Sequence, residues 1–209
     1  SCADVHVTNS KAAITNMREY ISSSIEYIPN GVSLPSSFKD EKGTVSKIII
    51  PARIHPSKHQ QLIVDVAKMK KDLEFYLYGK IDDNQYYVEL MNNIQKSKLK
   101  NIHYMGYEAD LEKKIQEFDL VLLVAENEGN SNVILEAFAN EILCITSALE
   151  ANKELIRDNI FLFENNVESI IDTLEQVTAI NDSERKMILK RNREFVEKNC
   201  SEIDFVLIE

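Results

Sequence analysis

The chain has 209 residues, 44% hydrophobic and 28% charged, proportions ordinary for a globular protein large enough to bury a real core. Its formal net charge of -10 argues against a general affinity for nucleic acid, whose phosphates need a basic surface, and leaves room only for local basic patches. Cys2, Cys144 and Cys200 lie far apart with no C-x-x-C pair, which excludes a disulfide framework and a zinc motif and suits a reducing, cytoplasmic setting.

The chain starts at Ser1 without a methionine and its first residues already read as a strand, as expected of a piece cut from a longer protein. A strand at 4–8, a helix at 10–21 and a strand at 24–28 come first. The segment "IPNGVSLPSSFKDEKGTVS" then breaks the rhythm with Pro, Gly and Ser, the composition of a linker. Beyond it, strands are predicted at 46–50, 73–78, 102–104, 120–124, 143–146 and 160–163. Between and after them come helices near 58–70, 83–97, 109–117, 131–140, 151–156, 166–178 and 183–198. No run approaches the roughly 18 consecutive apolar residues of a membrane span. The alternation predicts an α/β fold, a Rossmann-like doubly wound parallel sheet with helices on both faces. Residues 1–30 read as the last strand-helix-strand of an amino-terminal unit, 31–45 as a linker and 46–209 as a complete domain with its terminal helices.

In such sheets, ligands bind outside the carboxyl ends of strands, near helix N-termini. In "IIIPARIHPSKHQQL" a strand ends at Ile50, the loop carries Arg53 and Lys58, and a helix opens around Lys58. Two cations at a strand-to-helix junction suit a phosphate; the alternative is two solvated basic residues. In "VLLVAENEGNSNVILEAFA" a strand ends near Val124, and a loop leads into a helix capped by Asn130 or Ser131. Gly129 lets a ligand approach the backbone there, and the free N–H groups form a second anion site. Glu136 interrupts the apolar run of that helix, about 7–8 Å from its start. An ionised carboxylate among apolar neighbours is costly unless hydrogen-bonded. A pair of sugar hydroxyls would satisfy it, as would a core lysine or the backbone of a neighbouring loop. The spacing from Glu128 to Glu136 recurs from Glu194 to Glu202, so spacing alone discriminates nothing.

His6, His55, His59 and His103 show no metal-ligand spacing. The absence of G-x-G-x-x-G, Walker and G-x-S-x-G runs weighs against NAD, P-loop and hydrolase chemistry. The helix "SERKMILKRNREFVEKN" is basic on one side with apolar pairs seven apart. That is a packed terminal helix, with peripheral membrane contact as the alternative. A flavodoxin-like or response-regulator-like domain is disfavoured, since neither an aspartate cluster at a first strand end nor an aromatic flavin loop is present.

The order of motifs resembles the carboxyl-terminal domain of retaining GT-B glycosyltransferases, the family-four group. "IPNG", "PARIHPSKHQQLI", "LEFYLYGK", "NIHYMGY", "FDLVLLVAENEGNSNVILEAFA" and "NKELI" run in its register over nearly the whole chain. The resemblance implies a nucleotide diphosphate sugar as donor, a UDP-sugar foremost, with no cofactor and no metal. Arg53 and Lys58 would grip the diphosphate and stabilise the leaving group. Glu136 would bind the ribose hydroxyls and Glu128 the sugar ring. The amides of Gly129, Asn130, Ser131 and Asn132 would hold sugar and phosphates, and the backbone near Gly79 and Tyr107 would line the base. Retention would proceed by front-face attack, so the two glutamates are not the acid and nucleophile of a glycoside hydrolase.

The same resemblance implies a glycan, lipid-linked or protein acceptor, held by an amino-terminal domain of which only 1–30 is represented. It implies a cytoplasmic enzyme working at the inner face of the membrane, with the isolated fragment inactive. Glu141 and Leu143 stand where the family carries Gly and Pro, His59 replaces the glycine after the loop lysine, and "ALEANKELI" lacks the usual Gly pair. The turn into the next strand and the sugar pocket are therefore where differences are expected. A non-catalytic glycosyltransferase-like binding or partner module is the competing function.

Overall fold

The computed structural model describes residues 4–35, 44–127 and 131–200. Strands β1 (Val5–Thr8) and β2 (Ser24–Tyr27), joined by helix α1 (Lys11–Met17), form a small parallel pair. A six-stranded sheet follows, built from β3 (Lys47–Pro51), β4 (Glu74–Tyr78), β5 (Ile102–Gly106), β6 (Leu120–Leu123), β7 (Leu143–Ser147) and β8 (Leu162–Phe163). Every pairing is parallel and the spatial order is β5-β4-β3-β6-β7-β8. Counted from β3, this is the dinucleotide-fold order 3-2-1-4-5-6, doubly wound as the sequence predicts.

The central strands need apolar residues on both faces, because helices cover both. Ile48, Ile49 and Ile50 of β3 and all four residues of β6 are accordingly buried. The helices are α2 (Gln60–Met69), α3 (Asn84–Lys96), α4 (Leu111–Ile115), α5 (Asn132–Ala139), α6 (Glu150–Leu155), α7 (Val167–Thr178) and α8 (Asp182–Asn199). Helix α2 packs on α3 and α7, whereas α5 packs on α4 and α8. Right-handed connections running to opposite sides of β3 place these two groups on opposite faces. The long helices start where a short polar side chain meets a free N–H. Asp83 accepts from Tyr86 N at 2.9 Å, Asn166 from Ser169 N at 2.8 Å and Asn181 from Glu184 N at 3.0 Å. Ile188 and Val196 of α8 are buried, so its apolar side is spent on packing.

Most element ends shift by a few residues, α1 ending at Met17 rather than 21, and two segments change type. The helix expected to open around Lys58 is a 3-10 turn, Pro56–Lys58, after which the chain resets at His59 and α2 begins at Gln60. Pro56 suits the first position of a tight turn, and His55 Nδ1 accepts from Ser57 N at 3.2 Å to close it. The strand expected at 160–163 is a 3-10 turn, Asn159–Phe161, followed by the two-residue β8 at the sheet edge. His59 and Glu141 both lie in the left-handed region, φ 47° and 52°. A glycine adopts that conformation without strain, which accounts for the glycine the resemblance expects at each.

Candidate functional site

Connections leave β3 and β6 toward opposite edges of the sheet, so a crevice opens beyond their carboxyl ends. The loop after β3 is tied down by its backbone. Ala52 N donates to Tyr78 O at 2.9 Å and Ile54 N to Lys80 O at 2.8 Å. Gln60 Nε2 donates to Arg53 O at 2.8 Å. The loop after β6 begins against it, with Glu126 N donating to Ser57 O at 3.0 Å. Glu126 Oε1 also lies 3.3 Å from His59 Nε2. The structure therefore brings the Arg53–Lys58 segment and the start of the acidic loop together. Glu128, Gly129 and Asn130 lie outside the described residues.

Arg53 projects into solvent, and its guanidinium pairs with Asp82 Oδ2 at 2.5 Å. Lys58 closes the 3-10 turn, half-buried. Gly79 must be a glycine, since a Cβ there would sit 2.0 Å from Ala52 O and 2.6 Å from Ala52 C, both backbone atoms. Gly79 N donates to Gly106 O at 2.8 Å, and Tyr104 Oη donates to Gly79 O at 3.0 Å. A cleft of about 320 Å³ opens over this floor, lined by Pro51, Arg53, Gly79, Lys80, Tyr107 and Glu108 among others. Tyr107 is exposed, with Lys80 Nζ 4.5 Å from its ring centroid, a cation–π contact.

Across the switch point, Ser131 occupies the cap position of α5 with extended backbone and no side-chain capping bond. Asn132 opens the helix, and its Oδ1 accepts from Asn30 Nδ2. Glu136 sits half-buried between buried Leu135 and Ala137, and its Oε2 is shut from water with no hydrogen-bond partner. Among the described residues, neither a core lysine nor a neighbouring loop backbone reaches that oxygen. Burial, and secondarily the Glu112 carboxylate, raise the Glu136 pKa above the ordinary range. Arg53, Gly79 and Tyr107 thus share one cleft, while Ser131, Asn132 and Glu136 share one helix. Helix α4 links them: Leu111 lines the cleft and the adjacent Glu112 acts on Glu136.

Several members of this edge escape sequence reading. Asp82, Lys80 and Glu108 follow strand ends without any local anomaly to mark them. So does the knot that holds the end of β6. Buried Ser147 Oγ accepts from Ala125 N at 3.0 Å and donates to Asn165 Oδ1 at 2.6 Å, and Asn165 Nδ2 donates to Ala125 O at 2.9 Å. Among the described residues, no group of three or more His, Cys, Asp or Glu side chains is placed to hold a metal ion. No helix among them is long and apolar enough to cross a membrane.

Comparison with known proteins bears on this arrangement. The chain is 24% identical over 178 residues to the poly(ribitol-phosphate) alpha-N-acetylglucosaminyltransferase of Staphylococcus aureus (strain COL), which covers 80% of the chain and 34% of that protein. The chain thus spans about a third of the length of that curated relative. It is similar to Anabaena Alr3699/HepE, solved in complex with UDP and glucose, with TM-score 0.85 and 16% identity over 97% of this chain and 60% of that one. It is also similar to a mutant of S. aureus TarM in complex with Fondaparinux, alpha-GlcNAc-glycerol and UDP, with TM-score 0.80 and 21% identity over 94% and 41% of the two chains. The fold is the Rossmann-like α/β fold of GT-B glycosyltransferases. The model of the family "Glycosyl transferases group 1" matches residues 36–195, and the chain belongs to that family.

Proposed function

We propose that this chain is the donor-binding half of a retaining glycosyltransferase, one that moves a sugar from a UDP-sugar to a glycan, lipid-linked or protein acceptor. The observation that carries the reading is the Glu136 carboxylate, half-buried in the helix after β6 with one oxygen lacking a hydrogen-bond partner among the described residues. A ribose diol supplies two O–H donors to such a group, and a carboxylate accepts both. Arg53 and Lys58 meet the diphosphate across the crevice, and the exposed Arg53–Asp82 pair yields to it at small cost. The base enters the cleft lined by Gly79, Lys80 and Tyr107. The likeness to proteins solved with UDP supports that choice of nucleotide.

In the reaction, the bond from the anomeric carbon to the diphosphate oxygen breaks while the acceptor oxygen bonds to that carbon on the same face. The acceptor proton passes to the departing diphosphate. The guanidinium and ammonium stabilise the charge that gathers on the leaving group, without a metal. Glu128 contacts the sugar ring, and Ser131 and Asn132 contact sugar and phosphate. Residues 1–30 are the last part of an amino-terminal acceptor domain, the enzyme is cytoplasmic at the inner face of the membrane, and the fragment alone transfers poorly.

Calorimetric titration with UDP, GDP, their sugars and uridine tests the reading. UDP is expected to bind, and to bind more tightly than uridine. No heat from any of them at millimolar concentration removes the donor site. Binding without transfer by a chain extended through its amino-terminal domain favours the non-catalytic module instead.

A further inference from the structure

Three asparagine side chains are joined end to end across this molecule. Asn9 follows β1, Asn30 lies in the segment after β2, and Asn132 is the first residue of α5, four residues ahead of Glu136. Asn9 Nδ2 donates to Asn30 Oδ1 at 2.9 Å, and Asn30 Nδ2 donates to Asn132 Oδ1. The far end of the chain of amides is anchored to the large domain. Lys11 N donates to Glu154 Oε2 at 3.0 Å and Ser10 Oγ to Glu154 Oε1 at 3.4 Å, fixing the start of α1 against α6. On the other side, Val32 N donates to Cys200 O at 2.8 Å.

We propose that Asn9 and Asn30 are positioning residues: their hydrogen bonds set which end of the Asn132 amide is available to a bound nucleotide sugar. The proposal rests on reading the α5 entrance as part of the donor site. A carboxamide has one accepting end and one donating end. Asn9 engages the oxygen of Asn30, which directs the Asn30 NH2 to Asn132. That takes the Asn132 oxygen and leaves its NH2 as the end offered elsewhere. A donor is the useful end at a helix N-terminus that receives phosphate or sugar hydroxyls, where the backbone N–H groups already favour negative charge. An oxygen presented there repels the same ligand. The direction of the relay, beyond its mere presence, therefore matters.

Asn30→Asp reverses the direction, because a carboxylate only accepts: Asn132 must turn its NH2 toward residue 30 and present its oxygen to the ligand. The added charge also repels a diphosphate, so the variant is read in a double-mutant cycle with Asn132→Ala, by UDP calorimetry on the whole chain with thermal melts alongside. Asn30→Asp is expected to weaken UDP binding about 20-fold in the native background and only about 3-fold when residue 132 is alanine. Asn9→Ala, which adds no charge, is expected to cost about 3-fold in the native background and nothing in the Asn132→Ala chain. Equal losses in the two backgrounds overturn the relay and leave only charge or general folding as the cause. Should Asn30→Asp fail to fold, Asn30→Ala and Asn9→Ala complete the same cycle with the same criterion. A native chain that takes up no UDP sinks the donor-site reading itself, whereas UDP binding with equal losses sinks the relay alone.

Discussion

On the β3 side of the switch point, Arg53 stands in solvent with its side chain 63% exposed, paired with Asp82, itself 41% exposed. On the β6 side, Glu136 lies in an apolar helix with one oxygen shut from water and without a hydrogen-bond partner among the described residues. The difference is one of when desolvation is met. An exposed ion pair is worth under about 1 kcal/mol, so a diphosphate takes Arg53 from Asp82 almost freely. A half-buried carboxylate has already lost part of its water on folding, so hydrogen bonds it accepts from a ligand are made at little further desolvation cost. On the function proposed above, the cationic side would attract a polyphosphate and the acidic side would select one that brings a diol.

That contrast can be broken most forcefully at Arg53. Arg53→Ala is expected to weaken UDP about 50-fold and uridine by less than about 2-fold, since only the diphosphate meets the guanidinium. Comparable losses for both ligands, seen by calorimetry, would place Arg53 elsewhere. Glu136→Gln should weaken UDP and uridine alike, about 10-fold, because the ribose is common to both. It should also stabilise the empty chain at neutral pH. The Glu136 pKa is raised in the fold, so ionisation favours the unfolded chain: the destabilisation begins as pH rises past the unfolded carboxylate pKa and is complete above the folded one. The melting-temperature gain of Glu136→Gln is therefore expected at about pH 7 and largely lost near pH 3, below the unfolded carboxylate range. A gain of the same size at both pH values removes burial of the charge as its cause.

Smaller effects sharpen the cationic side and the scaffold. Asp82→Asn frees Arg53 and removes a negative charge beside the diphosphate, so UDP should bind about 2- to 3-fold more tightly, less so in high salt. Weaker binding would instead make Asp82 a residue that orients Arg53. Glu141→Gly relieves a left-handed backbone, φ 52°, just past the carboxyl end of α5, the end opposite Ser131 and Asn132. Urea unfolding should show about 0.5–1 kcal/mol of added stability with UDP affinity unchanged, and a loss of stability would show that the Glu141 side chain makes a compensating contact.

Most of the fold could be read before any coordinates, because burial writes itself into local pattern. The continuous Ile48–Ile50 run marks a strand covered on both faces, and the apolar period of 167–178 marks a helix lying on the sheet. Where reading slipped, at Pro56–Lys58 and Asn159–Phe161, the segments are three-residue turns too short to carry a period. The candidate site is legible only where a residue clashes with its local pattern, as Glu136 does inside "VILEAFA" and Arg53 and Lys58 do beside a buried strand.

Sequence alone thus determined the alternation of strands and helices, the doubly wound class and the two loops on which charge gathers, since these depend on neighbours a few residues apart. Tertiary structure decided which of those loops meet. Asp82 reaches Arg53 across 29 positions and Asn30 reaches Asn132 across 102, and neither pairing leaves a local trace. Gly79 reads as an ordinary strand-end glycine until the Ala52 carbonyl is seen 2.0 Å from where its Cβ would be. Each of these contacts is set by strand order and crossover path, quantities fixed by packing the whole sheet at once rather than by any short stretch of chain.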